Sequence, residues 1–407
     1  MDGRALTVRS LDDHRAAALA LAAPLPAVEV PLDDADGLVL ADDLRTDEPL
    51  PRWDNSAMDG YAVRQADVVD VPVTLRVVAD LPAGSSDEPV VDEGTAARIM
   101  TGAPVPPGAD TIVPVELTDA GTVTVLVREA PGAGVHLRRA GEDAVPGDVV
   151  VPAGTLLGPA AIAAVASLGH PTVRVHRRPR VAVISTGDEL VTPGNPLHRG
   201  QLPDSNSWLL AAAVREAGGV ALRLGPVPDD VTTLRTLLQS LDEDPSVDAI
   251  VTSGGVSVGA YDVVKAALAD EPSVEFVAVA VQPGKPQGLG RLPGGTPVFT
   301  LPGNPVSSFA SFEVFVRPAL LRLRGLAQVE RPATSAVADE GWTTPPGRAQ
   351  LMPVRWVGPD RVVRATAGGS GSHLVARLVA AEGLAVIPAD IDRVAAGDHV
   401  TVLKVVR

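Results

Sequence analysis

Residues 180–190 read RVAVISTGDEL, and residues 248–262 read DAIVTSGGVSVGAYD. Both are continuous apolar runs that end abruptly in glycines, hydroxyls and carboxylates. A strand without polar alternation is covered on both faces, the pattern of a parallel sheet between two helical layers. The flanking text agrees. Helical stretches at 205–217 (closed by Gly218-Gly219), 231–241, 261–269 and 306–323 alternate with apolar strands at 220–224, 274–281 and 297–301. This alternation predicts a mostly parallel α/β domain over residues 179–329.

Ligands in such a sheet bind beyond the carboxyl ends of the strands. The loops there are STGDEL (185–190), Pro228-Asp229-Asp230, the glycine-rich 252–262, Gln282-Pro283-Gly284-Lys285-Pro286, and 301–308. Gly254, Gly255 and Gly259 let backbone N–H groups approach an anion, and a helix starting near Tyr261 aims its positive end there. Ser253 and Ser257 add hydroxyls. Asp188, Glu189, Asp229 and Asp262 beside a phosphate require an intervening cation, and oxygen-only ligands point to Mg²⁺. Lys285 offers a compact charge to an oxyanion. Any one such loop is ordinary strand–helix punctuation with an acidic cap. Five on one edge argue for a site.

Outward from this core, Ser10 and the acidic turn after it start a helix running to about residue 23. Residues 24–48 are short β-like runs. Turn-rich text from 53 to 139 holds strands at 71–78, 111–115 and 122–127, and an Ala/Ile-rich helix follows at 159–168. After residue 330, short strands at 351–357, 362–365, 384–387 and 399–405 surround a helix at 374–381. The expected organisation is a discontinuous helical and extended domain (1–48 with 144–178), a β-rich insert (49–143), the α/β domain (179–329) and a small β-barrel-like domain (330–407). Within the insert, Asp59-Gly60 taken alone is a hairpin turn. Arg138-Arg139 beside Glu142-Asp143 taken alone is a surface ion-pair patch.

Composition bounds the function. A chain of 407 residues with 45% hydrophobic residues has ample core. With 34 basic against 50 acidic residues, net charge −16, it lacks the field of a nucleic-acid binder. The absence of cysteine excludes disulfides, thiolate metal sites and a cysteine nucleophile. Only Lys265, Lys285 and Lys404 are lysines, every other basic residue being arginine. No histidine pair has metal-ligand spacing. No targeting signal or spanning segment is evident, so a soluble, cytoplasmic protein without membrane contact is expected.

DNSAMDGYA (54–62), RIMTGA (98–103), RAGED (139–143), STGDEL (185–190), SGGVSVG (253–259) and LPGNPV (301–306), in that order, resemble the MoeA/gephyrin E-domain family. Its members are the molybdopterin molybdenumtransferases of the last step of molybdenum cofactor synthesis. The resemblance covers essentially the whole chain. It implies a four-part elongated subunit whose 179–329 domain binds molybdopterin, and a homodimer with its active site between the α/β domain of one subunit and the insert of the other. The implied reaction moves molybdate onto the dithiolene of adenylylated molybdopterin (molybdopterin-AMP), releases AMP and needs Mg²⁺. Other molybdenum cofactor biosynthesis proteins are implied as partners.

By the same resemblance, Asp262 attends the metal and the adenylyl bond, with Glu189 and Asp229 assisting. Asp59 and Thr101 reach across the dimer cleft, with Arg138, Arg139 and Asp143 nearby. Ser253, Gly254, Gly255, Ser257 and Gly259 hold phosphate and pterin, and Pro302, Asn304 and Pro305 join the substrate site. Molybdate meets Gln282, Lys285, Pro286, Ser307, Arg348 and Ser372.

One departure stands out. The family usually has lysine where this chain has Gln282, and the phenylalanines that follow are replaced by Gln287 and Leu289. Two alternatives follow within enzyme chemistry: a paralogue with altered oxyanion preference, such as tungstate, and a molybdopterin adenylyltransferase, which needs neither insert nor tail. A third, of another class, is a non-catalytic dimeric scaffold. Retention of Asp262, Glu189, Asp229 and Lys285 argues against it.

Overall fold

The computed structural model describes residues 8–256, 262–366 and 375–405. The chain forms two compact units, one of Met1–Ala41, Gly154–Ile162 and Pro171–Arg407, the other of Asp42–Ala153 and Ala163–His170.

The first unit is built on a seven-stranded sheet in the order Val8–Arg9, Val274–Val279, Pro286–Arg291, Pro297–Leu301, Ala249–Ser253, Arg180–Ser185 and Val220–Arg223. Neighbours are parallel except on either side of Pro286–Arg291, which runs antiparallel to both. The mostly parallel sheet is as expected, but this reversed strand is not legible in PQGLGR, which reads as loop. Its glycines answer to contact. A Cβ on Gly288 would lie 2.3 Å from the Thr300 hydroxyl, and one on Gly290 2.1 Å from the Ser273 carbonyl oxygen. The single strand expected at 274–281 is also two pieces. Val281–Gln282 leaves the sheet and pairs in parallel with Ala349 and Gln350.

Val181, Val183, Val251 and Phe299 face one helical layer, while Ala182, Ile184, Ile250 and Val298 face the other. That burial on both faces is why the strands read as unbroken apolar text. The helix expected at 306–323 is continuous but contains a π turn, Phe312–Val316, between Pro305–Ser311 and Arg317–Leu323. Against it packs the N-terminal helix Leu11–Ala20, which Ser10 caps at the Asp13 N–H. His14 meets Phe315 edge-on at 4.6 Å. Burial, and then nearby Arg9, lowers its pKa to about 3, so the ring is neutral packing.

In the C-terminal region Ala333–Ala338, Ala349–Trp356, Arg361–Arg364, Gly383–Ile387 and His399–Lys404 close into a five-stranded barrel. Trp342, Met352, Val354 and Val402 fill it. Ala333–Ala338 is a strand the sequence reading did not identify.

The second unit holds a sheet in the order Thr124–Val127, Val73–Leu81, Thr95–Ile99, Gly60–Val63 and Thr111–Pro114. Gly60 opens a central strand rather than completing a hairpin turn. A Cβ there would stand 2.1 Å from the Val113 carbonyl oxygen, so glycine permits close strand approach. Among the described residues no helix is long and apolar enough to cross a membrane.

Candidate active site

The first unit's sheet switches direction of travel between Arg180–Ser185 and Ala249–Ser253: from the former the chain moves to Val220–Arg223 on one side, and the latter lies on the other. Loops diverge at such a point and leave a crevice. A cleft of about 1040 Å³ opens there, at the top of the roughly 300–1,000 Å³ range of ligand pockets. It draws on all five expected loops and on the start of the barrel. Thr186, Ser253 and Gly254 form its seam, with the Thr186 N–H donating to the Ser253 carbonyl at 3.1 Å. Gly254 has φ +101, and a Cβ would meet the Thr186 carbonyl oxygen at 2.8 Å, so the position is closed to other residues.

Strand order distributes the charge. Glu189, Asp229 and Asp262 enter from loops at the switch-point side, whereas Lys285 and Ser307 follow strands further along the sheet. The Asp188 and Asp229 loops brace each other, since the Asp229 N–H donates to the Asp188 carboxylate at 3.0 Å and the Asp188 N–H to Asp229 at 3.4 Å. Desolvation raises the Asp229 pKa against the lowering effect of the Asp188 N–H bond, and the charges of Asp188, Glu189 and Asp262 add to the rise. This is a mutually repelling carboxylate cluster.

The sign of its pH dependence follows. A carboxyl whose pKa rises on folding favours the native state while protonated, and that contribution is lost as pH climbs through the raised value. Asp229→Asn is therefore expected to raise Tm at neutral pH, by a margin that shrinks toward pH 4 and shrinks again when millimolar Mg²⁺ is added to both proteins. Thermal unfolding across that pH range checks it. A variant less stable than the parent at pH 7, or a pH-independent difference, would contradict the repulsion.

Opposite this cluster, Gln282, Lys285, Pro286, Ser307 and Arg348 all line the cleft. The strand switch explains how. Parallel pairing of Val281–Gln282 with Ala349 and Gln350 brings Arg348, the residue before that barrel strand, beside Ala280 at the base of the 282–286 loop. Pro302, Asn304, Pro305, Ser253 and Gly255 line it as well. Ser257, Gly259 and Ser372 lie outside the described residues.

Asp204 and Asn206 line the cleft and are not among the sequence-derived candidates. Asp204 is buried, accepts from Ser185 Oγ at 2.7 Å and from the Ser207 N–H at 3.1 Å, and so fixes the helix Asn206–Glu216 beneath the cleft. Asn206 Nδ2 donates to Ser253 Oγ at 2.9 Å and to the Gly303 carbonyl at 2.6 Å, tying two cleft loops together. In sequence, Asp204-Ser205-Asn206 is indistinguishable from helix capping. Only the loops' proximity gives it this second task.

In the second unit, three motifs distant in sequence meet. Asp59 Oδ1 accepts from both the N–H and the hydroxyl of Thr101, each at 2.7 Å, and these bonds hold its carboxyl below the ordinary range. Arg139 pairs with Asp54, whose other oxygen accepts the Ala140 N–H at 2.8 Å. Arg138 pairs with Asn55 across a short ladder. Arg138, Arg139, Asp143, Asp59 and Thr101 are all exposed. The basic segment is thus folded onto DNSAMDG as part of one assembly, more than an isolated surface patch.

An α/β sheet with this switch-point cleft, in a chain that also holds a β insert and a closed barrel, defines the class: residues 182–322 match the model of a probable molybdopterin binding domain. Residues 9–169 match the MoeA N-terminal region (domain I and II), and 335–405 match the MoeA C-terminal region (domain IV). The chain belongs to the MoeA family, a family of transferases. It is 45% identical over 405 residues to molybdopterin molybdenumtransferase 2 of Mycobacterium tuberculosis, covering 97% of this chain and 99% of that protein. It is 37% identical over 383 residues to molybdopterin molybdenumtransferase of Nostoc sp., covering 91% and 87%. Among solved structures, the molybdopterin biosynthesis MoeA protein of Pyrococcus horikoshii superposes with TM-score 0.84 at 31% identity, covering 98% of this chain and 99% of that one.

Proposed function

We propose that this chain is a molybdopterin molybdenumtransferase that inserts molybdate into adenylylated molybdopterin and releases AMP. The observation that carries this reading is the two-sided cleft, with carboxylates at the switch point and Lys285, Ser307 and Arg348 further along. The carboxylate side suits a phosphoanhydride and its cation, and the other side suits a tetrahedral oxyanion. In the proposed hydrolysis a water oxygen bonds to one anhydride phosphorus and the bridging P–O bond breaks, giving AMP and molybdopterin with its own phosphate, the water's protons passing to the new phosphate oxygens and solvent.

The residues fit Mg²⁺ in a particular way. Asp262, Asp229 and Glu189 are oxygen donors within electrostatic reach of one another, yet among the described residues no three acidic or histidine side chains form a metal cage. The oxygen-only donor set suits Mg²⁺ held by one or two carboxylates together with substrate phosphates. When bound, it neutralises charge developing on those phosphates. The chain's own residues orient the substrate: Ser253, Gly254 and Gly255 receive phosphate or pterin, and Asn206 keeps the Ser253 and Gly303 loops in register.

The Asp59–Thr101–Arg138 assembly of the insert completes the site, in this reading, from the second subunit of a homodimer. Neither Asp262→Ala nor Asp59→Ala alone should then be active. Unfolding and refolding the two as a mixture should restore about a quarter of parental activity. Half of the dimers are mixed, and each mixed dimer has one site intact at both positions. No recovery, with mixed dimers verified by mass, contradicts the shared site. The direct assay of the function is AMP release on mixing the protein with adenylylated molybdopterin, Mg²⁺ and molybdate. A folded protein that releases none is not this enzyme.

A further inference from the structure

Gln287 is almost fully buried, and its amide is committed to a single neighbourhood. Its Nε2 donates to the Gly284 carbonyl oxygen at 2.7 Å and to Ser311 Oγ at 2.6 Å. The carbonyl it grips belongs to the peptide group linking Gly284 to Lys285. A trans peptide points its C=O and N–H in opposite directions. Turning the carbonyl inward to Gln287 therefore turns the Lys285 N–H the other way, and Lys285 lines the cleft. Gly284 itself has φ +108, with Ser311 Oγ only 2.7 Å from where a Cβ would stand. The turn is thus clamped between a buried amide and the long helix. A second bond closes it, the Val279 N–H donating to the Lys285 carbonyl at 2.7 Å.

We infer that Gln287 is a positioning residue for oxyanion binding: its buried amide fixes the Gly284–Lys285 peptide so that the Lys285 N–H and ammonium group are presented together to a tetrahedral oxyanion. This rests on the reading of the cleft given above. The same loop carries neutral Gln282, so its cationic side chain is Lys285 alone, and the orientation of that residue carries more of the binding. The clamp also has a cost. Gln287 Oε1 is buried without a hydrogen-bond partner among the described residues, and such an acceptor destabilises the fold. A side chain chosen for packing alone would avoid that. One that must hold the loop accepts it.

The test separates holding from packing. Gln287→Met keeps length and volume, removes the donor, and removes the orphaned acceptor. The expected result is a Tm close to that of the parent, because loss of the orphaned Oε1 offsets the Gly284 carbonyl left without its donor, with molybdate binding weakened about tenfold by calorimetry, and in turnover a raised molybdate KM with nearly unchanged kcat. Ser311→Ala, which leaves the bond to Gly284 in place, is expected to bind molybdate within about twofold of the parent. Equal molybdate affinity in Gln287→Met and parent overturns the inference. So does a Tm that falls in proportion to affinity, because that is the behaviour of a purely structural residue. If the parent itself fails to bind millimolar molybdate while still releasing AMP, the oxyanion reading of this loop fails and takes the inference with it.

Discussion

Asp262→Asn is expected to slow AMP release by roughly a hundred- to a thousandfold, the scale of removing one strong electrostatic contact from a transition state. The residue lines the cleft and contributes to the field that raises the Asp229 pKa, so its charge acts on the same small volume. Asparagine preserves shape and removes the negative charge. The effect should therefore appear in kcat with Mg²⁺ present, while molybdate affinity at the Lys285 side changes little. Single-turnover AMP release and molybdate calorimetry on the same preparation separate the two. If release falls less than threefold with Tm unchanged, Asp262 has no part in the adenylyl step, and Glu189 and Asp229 would have to carry it.

The second large effect is at the opposite side. Lys285→Ala should raise the molybdate KM by roughly thirtyfold and Gln282→Ala by only about threefold. Both contacts meet a charged oxyanion, but only Lys285 adds an opposite charge of its own, so its loss falls within the roughly 1.5–3 kcal/mol of a hydrogen bond between charged groups, kept from the top of that range by its exposure. The neutral Gln282 amide can be replaced at the anion by water, which holds its loss to about 0.5–1.5 kcal/mol. Titrating molybdate and tungstate against both variants gives the ranking and any oxyanion preference. If Gln282 proves the more costly loss, the charge argument is wrong and the loop selects its oxyanion by hydrogen-bond geometry.

Much of this protein was written locally. The both-faces-buried strands Arg180–Ser185 and Ala249–Ser253 announce a parallel sheet, because apolar text without alternation has no solvent face to serve. The placement of ligands beyond the carboxyl ends of parallel strands makes Glu189, Ser253, Lys285 and Asn304 candidates from sequence, and all four line the cleft.

What needed the tertiary structure is whatever depends on neighbours distant in sequence. The strand Pro286–Arg291 exists because its glycines admit Phe276, Ser273 and Thr300 at close range, and propensity carries no such information. Arg348 is brought to the cleft by a two-residue pairing with a strand segment nearly seventy positions earlier. Asp204 and Asn206 look like helix caps until the Ser185, Ser253 and Gly303 loops arrive beside them. Gln287 reads as a polar interruption until it is seen to grip the peptide before Lys285. The sequence by itself determined which chemistry is available and on which edge of the sheet. The tertiary structure decided how those groups are held, because a hydrogen bond between residues far apart in the chain leaves no trace in the text around either one.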